Sequence, residues 1–214
     1  TDNYISHTNK SKGLFNWLYQ KIRSYTIKSK VSLLKKFGDK KIHLDVGCGT
    51  GEFLNACQKK GFTTKGTEPS KTAREQAINN FGLEVSEKSD LSTFDSDSFN
   101  SISMWHVLEH IEDINVVLNN CSRILKKNGV MLIAVPNHKS WDASFYEEYW
   151  AAWDVPIHLW HFSKKTITLI FKNNGFKLIT KKPMFFDSFY VSLLSEEFKH
   201  SKKSFVKAFL VGLI

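Results

Sequence analysis

Covalent cross-links and membrane spans have little to draw on in this chain. Its 214 residues hold three cysteines, Cys48, Cys57 and Cys121, an odd and widely spaced set. Such sparse usage excludes a disulfide framework and a zinc-ribbon spacing, and it fits a reducing, cytoplasmic setting. No apolar run reaches the ~18 residues that a membrane span needs, and no signal peptide is visible, so a soluble protein is expected. Internal repeats and low-complexity segments are absent. The length allows one sizeable α/β core and leaves no room for two ordinary domains with a linker. Acidic charge is scarce at the amino-terminal end: residues 1–41 hold ten Lys or Arg against Asp2 and Asp39. Residues 195–214 add four Lys against two Glu, so of the net +9 only −1 belongs to the remaining 153 residues. Thr1 in place of Met and the apolar stretch Phe205 to Ile214 suggest trimmed ends.

What is present begins with Leu44-Asp45-Val46-Gly47-Cys48-Gly49-Thr50-Gly51-Glu52. An apolar strand runs into three glycines on alternate positions and then into a helix, the form of a nucleotide-cradling turn in a Rossmann-like sheet. The third glycine comes one residue early for a dinucleotide fingerprint. Glu52 would face a pyrophosphate, a repulsion of roughly 1 kcal/mol at 4 Å even in water. A nucleoside without phosphates and with cationic groups suits the turn better. Glu68, 23 residues after Asp45, ends the second strand at the spacing from which an acid accepts hydrogen bonds from ribose hydroxyls.

Leu-Asp-Val-Gly-Cys-Gly-Thr-Gly resembles motif I of the class I S-adenosylmethionine-dependent methyltransferases. Three further segments are similar to that family in order: Glu68-Pro69-Ser70, then Ser98 to Asp113, then Pro156-Ile157-His158-Leu159-Trp160-His161-Phe162-Ser163 with Gly175-Phe176 behind it. The resemblance covers about residues 40 to 180. It implies that S-adenosylmethionine contacts Asp45, Gly47, Cys48, Gly49, Gly51, Glu68, Pro69 and Ser70, with S-adenosylhomocysteine as product. Asp90 and Leu91 stand where relatives meet the adenine, and Trp105 and His106 at the end of the fourth strand. The ubiquinone-biosynthesis O-methyltransferases resemble the segment around His106 and His110 and can place a divalent cation there. They carry Glu where this chain has His106, so no metal is assigned.

The implied fold is α/β, a mostly parallel sheet with helices on both faces. Strands are predicted at Ile42 to Val46, Phe62 to Thr67, Leu83 to Ser86, Phe99 to Trp105, Val130 to Val135 and Phe176 to Thr180, with no seventh. Helices follow Gly51, Ser70, Asp113 and Ser163, the second leaving at Phe81-Gly82 and the third near Asn128-Gly129. Residues 1–39 read as a basic helical segment or lid, 40–182 as the cofactor-binding domain, and 183–214 as an aromatic, helical tail. Within the domain, 138–162 forms a cap holding seven Trp, Tyr or Phe in His138 to His161. Those aromatics either make a small core of their own or, through Tyr149 and Trp153, line the acceptor site.

Four histidines are the candidate catalytic groups: His106, His110, His158 and His161. Imidazole titrates near neutrality and can take a proton from an acceptor hydroxyl, or each ring can instead anchor a neighbouring carbonyl. His106-x-x-Glu109-His110 also matches an inverted zinc-peptidase string, but it leaves a strand and opens a helix rather than lying inside one. Tyr4 and His7 belong to the basic segment, which reads as a packed helix, a lid, or a surface for anionic lipid. Nucleic acid is not expected as a partner, because the basic residues lack interleaved aromatics. The expected activity is methyl transfer to a small-molecule acceptor, at oxygen, by direct displacement. Its rivals are a cofactor-binding protein without turnover and a nicotinamide-dependent oxidoreductase.

Overall fold

Alternation of apolar runs with capped amphipathic stretches produces a parallel sheet in the computed structural model, which describes residues 14–37, 41–87, 91–201 and 204–212. Five strands are present among them: β1 (Ile42–Val46), β2 (Thr63–Thr67), β3 (Val85–Ser86), β4 (Phe99–Trp105) and β5 (Leu125–Ala134). Their order is β3-β2-β1-β4-β5 and every pairing is parallel. The helices are α1 (Leu14–Phe37), α2 (Glu52–Gln58), α3 (Lys71–Phe81), α4 (Ile114–Ile124), α5 (Trp141–Tyr146), α6 (Lys164–Asn173), α7 (Phe185–His200) and α8 (Phe205–Gly212). The chain divides into two compact units: one runs to Val107 and takes in Asn119–Ala134, the other is Leu108–Leu118 with Val135–Ile214.

In the first unit the order of strands reverses direction between β1 and β4, which puts the carboxyl ends of those two strands at the switch point where open α/β sheets bind ligands. Helix boundaries follow the chemistry of the sequence. The Ser70 hydroxyl accepts from the Ala73 amide to start α3, and Gly82, at φ 64°, ends it. Apolar burial then fixes the layers. Val31 and Leu34 of α1 pack with Phe53 and Cys57 of α2 and with Phe62, all 8% exposed or less. Helix α1 is thus part of this unit's core.

The second unit has its own core, in which Ala143 and Tyr146 of α5 meet Trp150, Ala152 and Val211 of α8. Part of the aromatic richness of the cap is therefore structural. Helix α6 starts on a capping box: Ser163 Oγ accepts from the Thr166 amide, and Thr166 Oγ1 accepts from the Ser163 amide.

Two expectations fail. Phe176 to Thr180 forms no strand among the described residues. Leu178 and Ile179, neighbours in sequence, are both exposed, at 50% and 64%, so the segment has no buried face to hold a register. The helix expected to run to Asn128-Gly129 stops at Ile124, and β5 begins at Leu125 with a register irregularity opposite Phe99 to Ser101. Asn128 adopts φ 66° inside that bulge, a turn conformation that resembles a helix exit when read locally.

Candidate cofactor loop and histidine cluster

The loop after β1 is stitched to the end of β2. The amides of Gly47 and Cys48 both donate to the Thr67 carbonyl, at 2.8 and 3.0 Å. Glu68, next in line, accepts from the Gly49 amide at 2.8 Å through one carboxylate oxygen and from the Ser70 amide at 2.9 Å through the other. Each oxygen is thereby oriented and keeps a lone pair for a further donor. The glycines serve different ends. A Cβ on Gly47 would lie 2.5 Å from Val107 Cγ2, and one on Gly51 2.6 Å from Leu83 Cδ1 and 2.8 Å from Ala77 Cβ. At Gly49 a Cβ would meet nothing within 4 Å, and the constraint is its φ of 55°. That open side, beside a carboxylate with lone pairs to spare, fits an adenosine carrying two ribose hydroxyls.

Asp45 closes β1 almost fully buried. Its pKa is raised to about 7, chiefly by burial, with a hydrogen bond from Ser103 and the charge of Lys30 opposing the rise and Glu68 adding to it. Lys30, on α1, holds its ammonium 4.5 Å from the centre of the Trp105 ring. An acid and a cation near one another match the zwitterionic amino-acid end of S-adenosylmethionine. Arg23 of α1 pairs with Glu52 at 2.6 Å, and Thr50 donates to the other Glu52 oxygen at 2.6 Å. The anion that leaves the glycine loop is thus held by a cation from α1, an arrangement that the sequence did not reveal.

The remaining cofactor candidates differ in placement. Pro69 and Ser70 lead into α3. The Cys48 thiol is buried with its pKa raised, chiefly by desolvation and then by the charges of Asp45 and Glu68. Trp105 ends β4 and packs edge-on against Phe53 at 5.3 Å. Leu91 is buried, and its carbonyl accepts from Arg123 at 3.0 Å. Asp90, Tyr4 and His7 lie outside the described residues. His106, just past β4, sits at φ 59° while its amide donates to Ala134. A left-handed backbone at a histidine is uncommon and collects at functional sites.

The second unit gathers three of the four candidate histidines. The His110 and His158 rings are 4.8 Å apart, edge to face, and His161 lies 6.4 Å from His158. His110 Nδ1 is 3.2 Å from the Ile157 carbonyl, and His158 Nδ1 2.9 Å from that of Ala152. Carbonyls only accept, so each ring carries a proton on Nδ1, and His158 Nε2 lies 3.9 Å from Asp154 Oδ2. Burial lowers the His158 pKa against the opposing pull of the Ala152 carbonyl and of Glu109. Glu109 is fully buried, and one ligand atom each from Glu109, His110 and His158 lie within 4.8 Å of one another. Such a set can hold a divalent cation, with its histidines already oriented from behind.

His161 Nε2 is 2.8 Å from the Trp153 carbonyl, and the two rings pack 5.0 Å apart. Trp153 also borders a cleft of about 680 Å³ with Glu147, Glu148, Asp154, Trp150 and Phe198. Tyr149 stands exposed beside Lys199, whose ammonium is 5.8 Å from its ring.

Comparison with known proteins bears on the fold and the family. The methyltransferase-domain family profile matches residues 19–181. A ubiquinone biosynthesis O-methyltransferase of Pelagibacter ubique is 31% identical over 99 residues, 44% of this chain and 41% of that protein. The chain spans a little under half the length of the curated ubiquinone-biosynthesis relatives it matches. Among solved structures, a possible histamine N-methyltransferase of Thermotoga maritima superposes with a TM-score of 0.60 at 20% identity, covering 77% of this chain and 79% of that one. Magnesium protoporphyrin IX methyltransferase of Synechocystis, with S-adenosylhomocysteine bound, gives 0.64 at 14% identity, covering 82% and 83%. At these identities the structures show the fold. The family profile, extending over well over half of the sequence, carries the assignment, and the chain belongs to the methyltransferase-domain family, with S-adenosylmethionine as the cofactor of its class.

Proposed function

We propose that this chain transfers the S-adenosylmethionine methyl group to an oxygen of a small-molecule acceptor. The observation that carries the reading is Glu68, whose two oxygens are fixed by the Gly49 and Ser70 amides so that ribose hydroxyls can reach them. Asp45 would take the cofactor ammonium and Lys30 its carboxylate. The cofactor supplies a methyl already activated on a sulfonium, so the protein has to align the acceptor and exclude water. The acceptor oxygen would form the new bond to the methyl carbon as the carbon–sulfur bond broke with its electron pair on sulfur, and the acceptor proton would pass to a base of this chain. We assign that role to His158, whose Nδ1 is held 2.9 Å from the Ala152 carbonyl and whose pKa burial lowers. The proposal of oxygen draws on the named activity of the ubiquinone-biosynthesis relatives.

Titration calorimetry with S-adenosylhomocysteine tests the cofactor assignment. Glu68→Ala should weaken binding by about 1.5 to 3 kcal/mol, the range for hydrogen bonds to a charged group; unchanged affinity would refute it. A base with a lowered pKa stays unprotonated to lower pH, so kcat on an identified acceptor, measured at saturating cofactor so that the ionisation of free-enzyme Asp45 does not enter, should hold below pH 6.5 and fall only under more acid conditions. A profile that breaks above 6.5 would remove His158 from this role.

The Glu109, His110 and His158 cluster supports a second reading, in which a divalent cation there lowers the pKa of the acceptor hydroxyl. Activity abolished by chelator and restored by magnesium or zinc would establish it. Chelator-insensitive turnover would leave His158 as a plain base.

A further inference from the structure

The face of β1 that carries Asp45 also carries His43, two residues earlier. Across the parallel ladder, β4 sets Ser101 opposite His43 and Ser103 opposite Asp45. Four polar side chains therefore lie side by side within the sheet, His43, Ser101 and Ser103 at 0% exposure and Asp45 at 2%. Buried polar groups are costly unless hydrogen-bonded, and these are. His43 Nδ1 is 2.9 Å from Ser101 Oγ and Nε2 is 3.0 Å from Ser103 Oγ, while Ser103 Oγ donates to Asp45 Oδ1.

The last contact sets the direction of the others. A carboxylate only accepts, so the Ser103 hydroxyl spends its single proton on Asp45 and its oxygen must accept from His43 Nε2–H. His43 then has a bare Nδ1, which accepts from the Ser101 hydroxyl. Burial holds the ring neutral by lowering its pKa to about 3.

We infer that Ser101, His43 and Ser103 form a one-way positioning relay, which fixes one oxygen of the Asp45 carboxylate and leaves the other aimed at the ammonium of the cofactor's amino-acid end. The inference rests on the reading of Asp45 as a cofactor contact. Charged and titratable groups face Asp45 from several elements: Lys30 on α1, Glu68 beyond β2, and the thiols of Cys48 and Cys57, which its charge helps to keep protonated. Of the groups that act on it, desolvation and Glu68 favour protonation, while Ser103 and Lys30 favour the anion. A buried carboxyl in that balance depends on its donor to remain ionised. Without the Ser103 hydroxyl it would take up a proton at higher pH and release the ammonium. A ladder that merely satisfies buried groups would leave the pH dependence of cofactor binding where it was.

The test uses the full chain, with S-adenosylhomocysteine as probe in calorimetry between pH 6 and 9. Ser103→Ala should move the midpoint of the pH dependence about one unit upward, which weakens binding about fivefold at pH 7 and close to tenfold at pH 6. Ser103→Thr keeps the hydroxyl and should follow the wild-type profile. His43→Leu should move the midpoint in the same direction by less, since Ser103 can still donate. Nitrogen-15 spectra of the ligand-free protein at about pH 9, where Asp45 is ionised, should show His43 protonated on Nε2 alone. A Ser103→Ala profile superimposed on wild type would overturn the relay, as would a His43 proton on Nδ1. Should Ser103→Ala fail to fold, an unmoved His43→Leu midpoint would overturn it. Absence of binding by folded wild type would defeat the cofactor reading itself, whereas binding with unmoved profiles defeats the relay alone.

Discussion

His43 links stability to pH in a direction that follows from its burial. Its folded pKa is depressed to about 3 from 6.5, so the native state takes up no proton there while the unfolded chain does. Stability is therefore lost as pH falls from 6.5 toward 3, by about 1.4 kcal/mol per pH unit at most. Asp45, raised to about 7 from 3.8, acts with the opposite sign: its native form holds a proton that the unfolded chain releases, so acidification through the same window is favourable. Comparison of wild type with His43→Leu separates the two. In denaturant titrations at pH 7, 6 and 5, wild type should lose stability relative to the variant with each step down; a constant difference would mean that His43 is not buried neutral. Local spacing made the glycines, Asp45 and Glu68 legible in the sequence. It could not disclose the relay, because Ser103 lies 58 residues from Asp45 and only the register of β1 on β4 brings them together.

At the scale of elements, α1 is the clearest case of chemistry obscured by composition. Its Lys and Arg residues suggest a surface segment, yet Ile27, Val31 and Leu34 recur at i, i+4 and i+7, the spacing of a core stripe. Leu34 is fully buried against the α2 and β2 side of the first unit. Leu34→Ala should therefore cost about 2 to 5 kcal/mol in equilibrium unfolding, as for other buried leucines. A loss under about 0.5 kcal/mol, the range of surface changes, would restore α1 to the role of a detachable lid. Capped helices were legible because Ser70, Asp113 and Ser163 announce their starts. Strand edges were less so: pairing partners decide whether an apolar run such as Phe176 to Thr180 forms a strand, and those are not written in the run itself.

Over the whole molecule, charge is distributed far less evenly than hydrophobicity. The chain carries +9, and residues 1–41 account for most of it. No described helix is long and apolar enough to cross a membrane. On α1, Lys21, Lys28 and Lys35 are exposed and recur every seven residues, which places them along one side of the helix, with exposed Lys36 beside the last. Each Lys near an anionic bilayer is worth about 1 kcal/mol, and the attraction fades beyond about 8 Å at physiological salt. We therefore expect the full chain to sediment with vesicles containing phosphatidylserine at low salt, to stay in solution with neutral vesicles, and to be released as salt is raised. Replacing Lys21, Lys28, Lys35 and Lys36 by Gln removes up to about 4 kcal/mol of that attraction while leaving Val31 and Leu34 in the core. The variant should fold as wild type does and bind anionic vesicles at least tenfold more weakly. Equal sedimentation of the two proteins at every salt concentration would instead leave this row of lysines as a solvated helix face, with the basic charge serving solubility alone.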